Sequence, residues 1–193
     1  MALSDLIFAP QSTPTSLAAH LDALSPAERL AQTLALGTKA QARLFELVDG
    51  ARRFTLDDLA PATGVPLVGV RHEGRNSMLA FTRFAKVFAV PEGVDPSRER
   101  WGFNATSALV STTVGPGYFV AVPKGDAVLV DYTRLPSKPL QGAPPVLPNE
   151  ARLSRFVYNQ TKDLVRGVSQ HVSIGRAWRG TRQLDNWFVL CRT

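Results

Sequence analysis

The run VSIGRAW holds the residue best suited to gripping an anion. If residues 172–178 form a strand, Arg176 shares one face with Val172, Ile174 and Trp178. Turned into an enclosed apolar space, its guanidinium would hold a carboxylate or phosphate through two parallel hydrogen bonds. Turned outward, its stem would lie under Trp178 as a surface stack. Strand alternation leaves both orientations open. Arg83, and Arg75 near Asn76, could join the same pocket or lie on the surface. Tyr118, Tyr132 and Tyr158 each sit in an apolar run. There a hydroxyl could meet a ligand head group or satisfy a single core hydrogen bond.

Other chemistry is poorly represented. His72 and Glu73 beside Arg75 resemble an acid/base pair, and Asp131, Tyr132 and His171 could relay a proton if the fold joined them. His20, His72 and His171 stand in no metal-ligand spacing, and the single Cys191 forbids an internal disulfide and a cysteine cluster for zinc. Cys191 itself reads as a small buried apolar residue. Gly115-Pro116-Gly117 lacks the length and the Lys-Ser/Thr of a phosphate loop. No catalytic residue, metal ligand or cofactor is therefore assigned.

The chain around these residues divides near residue 63. Residues 1–15 are rich in Ser, Thr and Pro and read as a loose arm. Residues 16–36 read as helical: Ser25 can cap, Pro26 suits a first helical position, and Glu28 completes a capping box. Ala27, Leu30, Ala31 and Leu34 recur at helical spacing. Gly37 stops this stretch, Thr38 caps the next helix, and Gly50 ends it. Leu44, Leu47 and Val48 give that helix an apolar face. Thr55 caps a short turn, LDDLAP.

Beyond residue 63, Gly, Pro and β-branched residues dominate. VPLVGVRHEG is strand-like and leads to a turn through Gly74 and Asn76. MLAFTRFAKVFAVP reads as a long strand, with a helix as the competitor; Phe84, Phe88 and Val90 share an alternating face with Lys86 among them. RWGFNATSALVSTTV gives one or two further strands. GYFVAVP and AVLVDYTRLP, joined at Lys124-Gly125-Asp126, carry a strong hairpin signal. A proline-rich crossing loop leads to residues 155–192. These read as an extended segment, a hairpin and a closing strand, with the last turn at Thr181–Asp185. Leu153, Phe156, Val157, Leu164, Val165 and Val168 would also fit a helix, but Gly167 and Gly175 oppose it.

The expected fold class is α+β: an N-terminal arm and helices over residues 1–62, then an antiparallel β-barrel domain over residues 63–193. Many short strands with Gly/Pro turns favour a closed sheet, which hides its edges.

Val157-Tyr158-Asn159, Asp163, Arg166, Val168, Ile174-Gly175 and Phe188-Val189-Leu190 together resemble the end of a lipocalin-like family named for a Gly-x-Trp-x-Gly motif. Ile174-Gly175-Arg176 and Phe188-Val189-Leu190 are also similar to the closing strands of plastid lipid-associated (fibrillin) proteins. The resemblance covers the last quarter of the chain, and the Gly-x-Trp-x-Gly signature itself is absent. It implies a small lipocalin-like barrel that binds an apolar or amphiphilic molecule.

Composition is that of a globular protein, at 45% hydrophobic and 20% charged residues, with no apolar run long enough for a membrane span. The N-terminus carries Asp5 and lacks a basic n-region, so a cytoplasmic location is expected. Residues 151–193 hold eight Arg/Lys against two acids and so account for the whole formal charge of +6.

Three functions compete. The first is non-enzymatic binding of a hydrophobic or anionic, fatty-acid- or lipid-like amphiphile by Arg176, Trp178, Tyr118, Tyr132, Tyr158, Arg83, Phe84 and Phe88. The second is an isomerase or hydrolase acting on a hydrophobic substrate in the same barrel, so enzymatic activity stays open. The third is a nucleic-acid or partner-binding module using the basic end, which requires its arginines on one open face; nucleic acid is the less expected partner. The N-terminal helices could cap a barrel mouth or form a homodimer contact.

Overall fold

The computed structural model describes residues 1–78, 82–105, 116–146 and 160–193. Five short helices precede the sheet: α1 (Leu3–Phe8), α2 (Pro14–Ala23), α3 (Pro26–Ala35), α4 (Thr38–Leu47) and α5 (Leu56–Leu59). Local chemistry explains their starts. The Thr13 and Ser25 side chains each accept from the backbone N–H three residues on, and Ser16 and Glu28 answer with theirs, while at α5 the Asp58 carboxylate accepts from Thr55 N at 2.7 Å and Thr55 Oγ1 at 3.0 Å. The reciprocal bonds satisfy backbone donors that a helix start leaves orphaned.

The N-terminal stretch expected to be a loose arm contains α1. Leu3, Leu6 and Ile7 recur at helical spacing, are buried, and outweigh the Ser/Thr/Pro content that follows. A second difference concerns α3, whose Ala27 and Ala31 are exposed while Arg29 and Thr33 are buried. Arg29 is inward because it carries the last carbonyls of α2: its guanidinium donates to Leu21 O and Leu24 O, each at 2.9 Å. Gly37, rather than Thr38, is the N-cap of α4.

Eight antiparallel strands then close into a barrel: β1 (Val70–Asn76), β2 (Arg83–Ala89), β3 (Arg100–Ala105), β4 (Tyr118–Lys124), β5 (Ala127–Asp131), β6 (Thr161–Gly167), β7 (Val172–Arg179) and β8 (Arg182–Arg192). Each strand pairs with its sequence neighbours and β8 returns to β1, the up-and-down order of a lipocalin-like barrel. The chain is thus α+β, helices first and barrel after. Gly74 and Asn76, expected in a turn, continue β1 instead, paired with Phe84 and Phe188. The β7–β8 turn is tighter than expected: Arg179 pairs with Arg182 around Gly180, at φ 57°, so β8 starts three residues before Asp185. The part of the expected strands RWGFNATSALVSTTV beyond residue 105, and the expected extended segment from residue 155 to 159, lie outside the described residues.

Three apolar clusters fix the layers. Outside, α1–α4 pack on β7 and β8, where Leu17, Leu21, Leu44 and Phe45 meet Ile174, Val189 and Cys191. On another wall, Trp101, Tyr118 and Val120 are covered by Leu140. The third cluster fills the barrel, with Phe88, Phe119, Val128, Val165 and Leu190 joined by Leu56 and Leu59 of α5.

Helix α5 seals one end. Backbone and side chains at that end converge on its neighbourhood: Phe54 N donates to Asp126 O at 2.9 Å, Arg100 Nε to Ala60 O at 2.7 Å, and Arg192 Nη1 to Asp58 O at 3.3 Å. His72 meets Leu59 O at 2.8 Å there as well. The strand ends Asn76 and Arg83, Ala105 and Tyr118, Asp131 and Thr161, and Arg179 and Arg182 lie at the opposite end. Among the described residues, no helix is long and apolar enough to cross a membrane.

Candidate functional site

Alternation along β2 sends Phe84, Lys86 and Phe88 inward. Lys86 is the cation inside the barrel wall, only 2% exposed. Burying an ammonium is costly without partners, and three converge on it. Its Nζ donates to Asn104 Oδ1 on β3 at 3.1 Å, lies 3.1 Å from Asp163 Oδ2 on β6, and bonds the Tyr132 hydroxyl just past β5. A lysine ammonium has three protons to give, and these neighbours can take all of them. The partners also bind one another. The Tyr132 hydroxyl lies 3.2 Å from Asp163 Oδ2, and Asn104 Nδ2 donates to it at 3.1 Å.

Aromatic rings close around the amine. The centroids of Tyr132 and Phe188 are each 4.9 Å from Nζ, that of Phe119 5.1 Å and that of Phe84 5.7 Å. Their faces attract a cation, most strongly where water is excluded. Glycines make room for three of these rings. Phe84 pairs across the sheet with Gly74, Phe119 with Gly102, and Phe188 with Gly175. A Cβ added to Gly175 would stand 2.1 Å from the Phe188 ring, and one on Gly102 2.4 Å from that of Phe119. Each ring therefore leans over the glycine beside it and into the cage.

Burial lowers the Lys86 pKa, with Asp163 pulling the other way. Burial raises that of Asp163, opposed by Lys86 and Tyr132. Both displacements favour the uncharged pair, because low-dielectric surroundings penalise either ion. An amine, a carboxyl, a phenol and an amide thus meet within one apolar interior. Together they can exchange hydrogen bonds with a polar head and pass a proton over about 3 Å.

The residues expected to form a site divide between the two sides of the wall. Phe84, Phe88 and Tyr132 are inside and brought together with Lys86. Tyr118 is outside, its hydroxyl donating to Pro144 O at 2.5 Å and its pKa pushed up to about 12 by burial. Arg83 is exposed and in the opposite strand phase from Lys86. Tyr158 lies outside the described residues.

Arg176 is on the outer face, in phase with Ile174, and does not enter the barrel. The reason is that this face of β7 is apolar because helices cover it, with Val172 and Ile174 in the outer cluster; a β-bulge just beyond, between Arg176 and Trp178, gives β8 extra residues that hold the arginine. Arg176 Nε donates to Leu184 O of the bulge at 2.9 Å, and Nη2 reaches Asp185 at 3.0 Å. Its guanidinium stacks over Trp187, 4.9 Å from the ring, rather than over Trp178.

Trp178 lines a separate outer cleft of about 390 Å³ with Val48, Leu129 and Leu164. The arginines and Lys162 beside it already hold partners: Arg166 with Asp49 at 2.6 Å, Lys162 with Asp131 at 2.9 Å, and Arg52 with Asp58. The two proton-transfer sets do not assemble. His72 points in while Glu73 points out to Arg71, and His171 meets Arg192 at the end opposite Tyr132. Among the described residues, no three His, Cys, Asp or Glu side chains gather as a metal site.

Lys86, Asp163 and Asn104 were not among the residues expected to form the site. Their common signal is a polar side chain in the inward phase of an alternating strand: FAKVF for Lys86 and TKDLV for Asp163.

No family model matches the chain, and neither a curated protein nor a solved structure does.

Proposed function

We propose that the barrel binds a small amphiphilic molecule, setting its polar head against Lys86, Tyr132, Asn104 and Asp163. The observation that carries this reading is the Lys86–Asp163 pair, 3.1 Å apart inside an aromatic cage. A barrel core needs no ion pair for stability, since apolar residues of similar volume do as well or better. The likeness of the closing strands to lipocalin-like and plastid lipid-associated families points the same way.

The chemistry of the head follows from charge balance. Lys86 and Asp163 cancel, so an uncharged oxygen — aldehyde, ketone, alcohol or protonated acid — fits without leaving a buried charge unpaired. An anionic, fatty-acid-like head requires a proton, which Asp163 is poised to hold. Arg176 takes no part, because it is committed to the β8 bulge. The basic end is a weaker basis for nucleic-acid binding, since Arg166 and Arg176 are paired within the molecule.

Native mass spectrometry of the protein purified from its own host tests the proposal. A lipid-sized adduct, released on denaturation and reduced in a Tyr132→Phe variant, is the expected result. An unadducted mass that takes up neither added long-chain alcohol nor fatty acid would overturn it.

A further inference from the structure

We infer that Lys86 captures an aldehyde-bearing amphiphile covalently, as a protonated imine held inside the barrel. This inference rests on the binding proposal above, and it adds a reaction.

The geometry supplies each part of imine chemistry. A lysine becomes a nucleophile when it is desolvated and can shed its proton. Lys86 is enclosed by Phe84, Phe119, Tyr132 and Phe188, and a proton acceptor lies 3.1 Å away in Asp163 Oδ2. Transfer across that gap leaves a free amine beside a carboxylic acid. The amine lone pair then attacks the aldehyde carbon. A C–N bond forms, and the carbonyl π pair moves onto oxygen.

The Tyr132 hydroxyl, bonded to Nζ, can relay one amine proton to that oxygen and give the carbinolamine. Asp163 next gives its proton to the new hydroxyl, the C–O bond breaks, and one water leaves. The products are a protonated imine and the Asp163 carboxylate. No oxidant, reductant or metal is needed. The cation formed lies where the original ammonium lay, among ring faces that favour positive charge and with its counter-ion in place. Asn104 Oδ1, 3.1 Å from Nζ, can accept the remaining N–H.

Competition within the chain is small. There are five lysines; Lys39, Lys124 and Lys138 are exposed and Lys162 is half-buried in its pair with Asp131. The exposed lysines lack the desolvation that activates an amine.

The test uses the intact protein and two probes of equal chain length, decanal and decanol. Decanal with cyanoborohydride at neutral pH fixes any imine as a secondary amine, and peptide mapping locates it. The expected result is a single decyl group on Lys86, formed about tenfold faster than on any exposed lysine. Asp163→Asn should slow that labelling. Mapping is done on the unaltered chain, so the outcome does not depend on a variant folding. Label spread over the exposed lysines and the N-terminus, with Lys86 unmodified while decanol binds, would overturn the capture and leave the binding proposal standing. If neither probe occupies the barrel, both fall.

Discussion

Nζ of Lys86 and Oδ2 of Asp163 lie 3.1 Å apart on strands from opposite sides of the barrel, both almost wholly out of water. Each is tolerable because of the other. Removing one leaves the second as a buried charge or an unsatisfied polar group, which costs about 3–5 kcal/mol. Lys86→Met and Asp163→Leu should each destabilise by that amount in urea unfolding. The double variant should recover much of the loss, since it replaces the pair with apolar volume. Additive losses would show that the two residues are not coupled.

The glycines of the cage make a steric prediction. Gly175 faces the Phe188 ring so closely that an added Cβ would stand 2.1 Å from it. Its backbone is ordinary strand, so the demand comes from the ring and not from φ. Gly175→Ala should cost about 1–3 kcal/mol by overpacking. Combining it with Phe188→Leu should restore part of that loss, because the smaller side chain vacates the space. Equal losses in the single and the double variant would mean that the glycine serves something else.

What could be read from the sequence was local. The Ser25–Glu28 box and the hairpin at Gly125 depend on neighbours within a few residues, and both formed as expected. Helix α1 was missed because the composition of the whole arm hid Leu3, Leu6 and Ile7. Alternation showed that Phe84, Lys86 and Phe88 share a face and that Ile174 and Arg176 share another. It could not show which face is inner, because α1–α4 make the outer wall of β7–β8 as apolar as the lumen. Arg176, in phase with Val172 and Ile174, therefore reads as a candidate interior cation, while Lys86, on the face of Phe84 and Phe88, carries no signal of its own that this face is the inner one. Register across distant strands, which brings Asp163 to Lys86, has no short-range signature.

Arg176 should accordingly affect stability and not ligand uptake. Its guanidinium ties Leu184 O and Asp185 of the β8 bulge and stacks on Trp187. Arg176→Ala should lower stability by about 1–2 kcal/mol through the lost bond to a backbone carbonyl. Titration with a long-chain alcohol should give an unchanged dissociation constant. A large loss of affinity with stability intact would return Arg176 to the site.

His72 gives the barrel a built-in acid sensitivity. Its ring lies at the sealed end, 2% exposed, edge-on to Phe88 at 5.2 Å and bonded to Leu59 O. Burial pulls its pKa from 6.5 to about 4; the Leu59 bond opposes this and the charge of Arg192 adds to it. A group whose folded pKa is depressed binds its proton more readily in the unfolded chain. Above pH 6.5 both states are neutral and nothing is lost. As pH falls from 6.5 towards 4, the unfolded chain gains a proton that the folded one refuses, and stability declines by about 3 kcal/mol across the window. Other groups titrate there too. His171, held below its usual value by burial, contributes in the same direction. The difference between the unaltered protein and His72→Gln therefore isolates the effect. Unfolding curves at pH 7 and pH 4.5 should show a steep loss in the former and a shallower one in the variant. If the two lose stability in parallel, His72 is not the group that titrates.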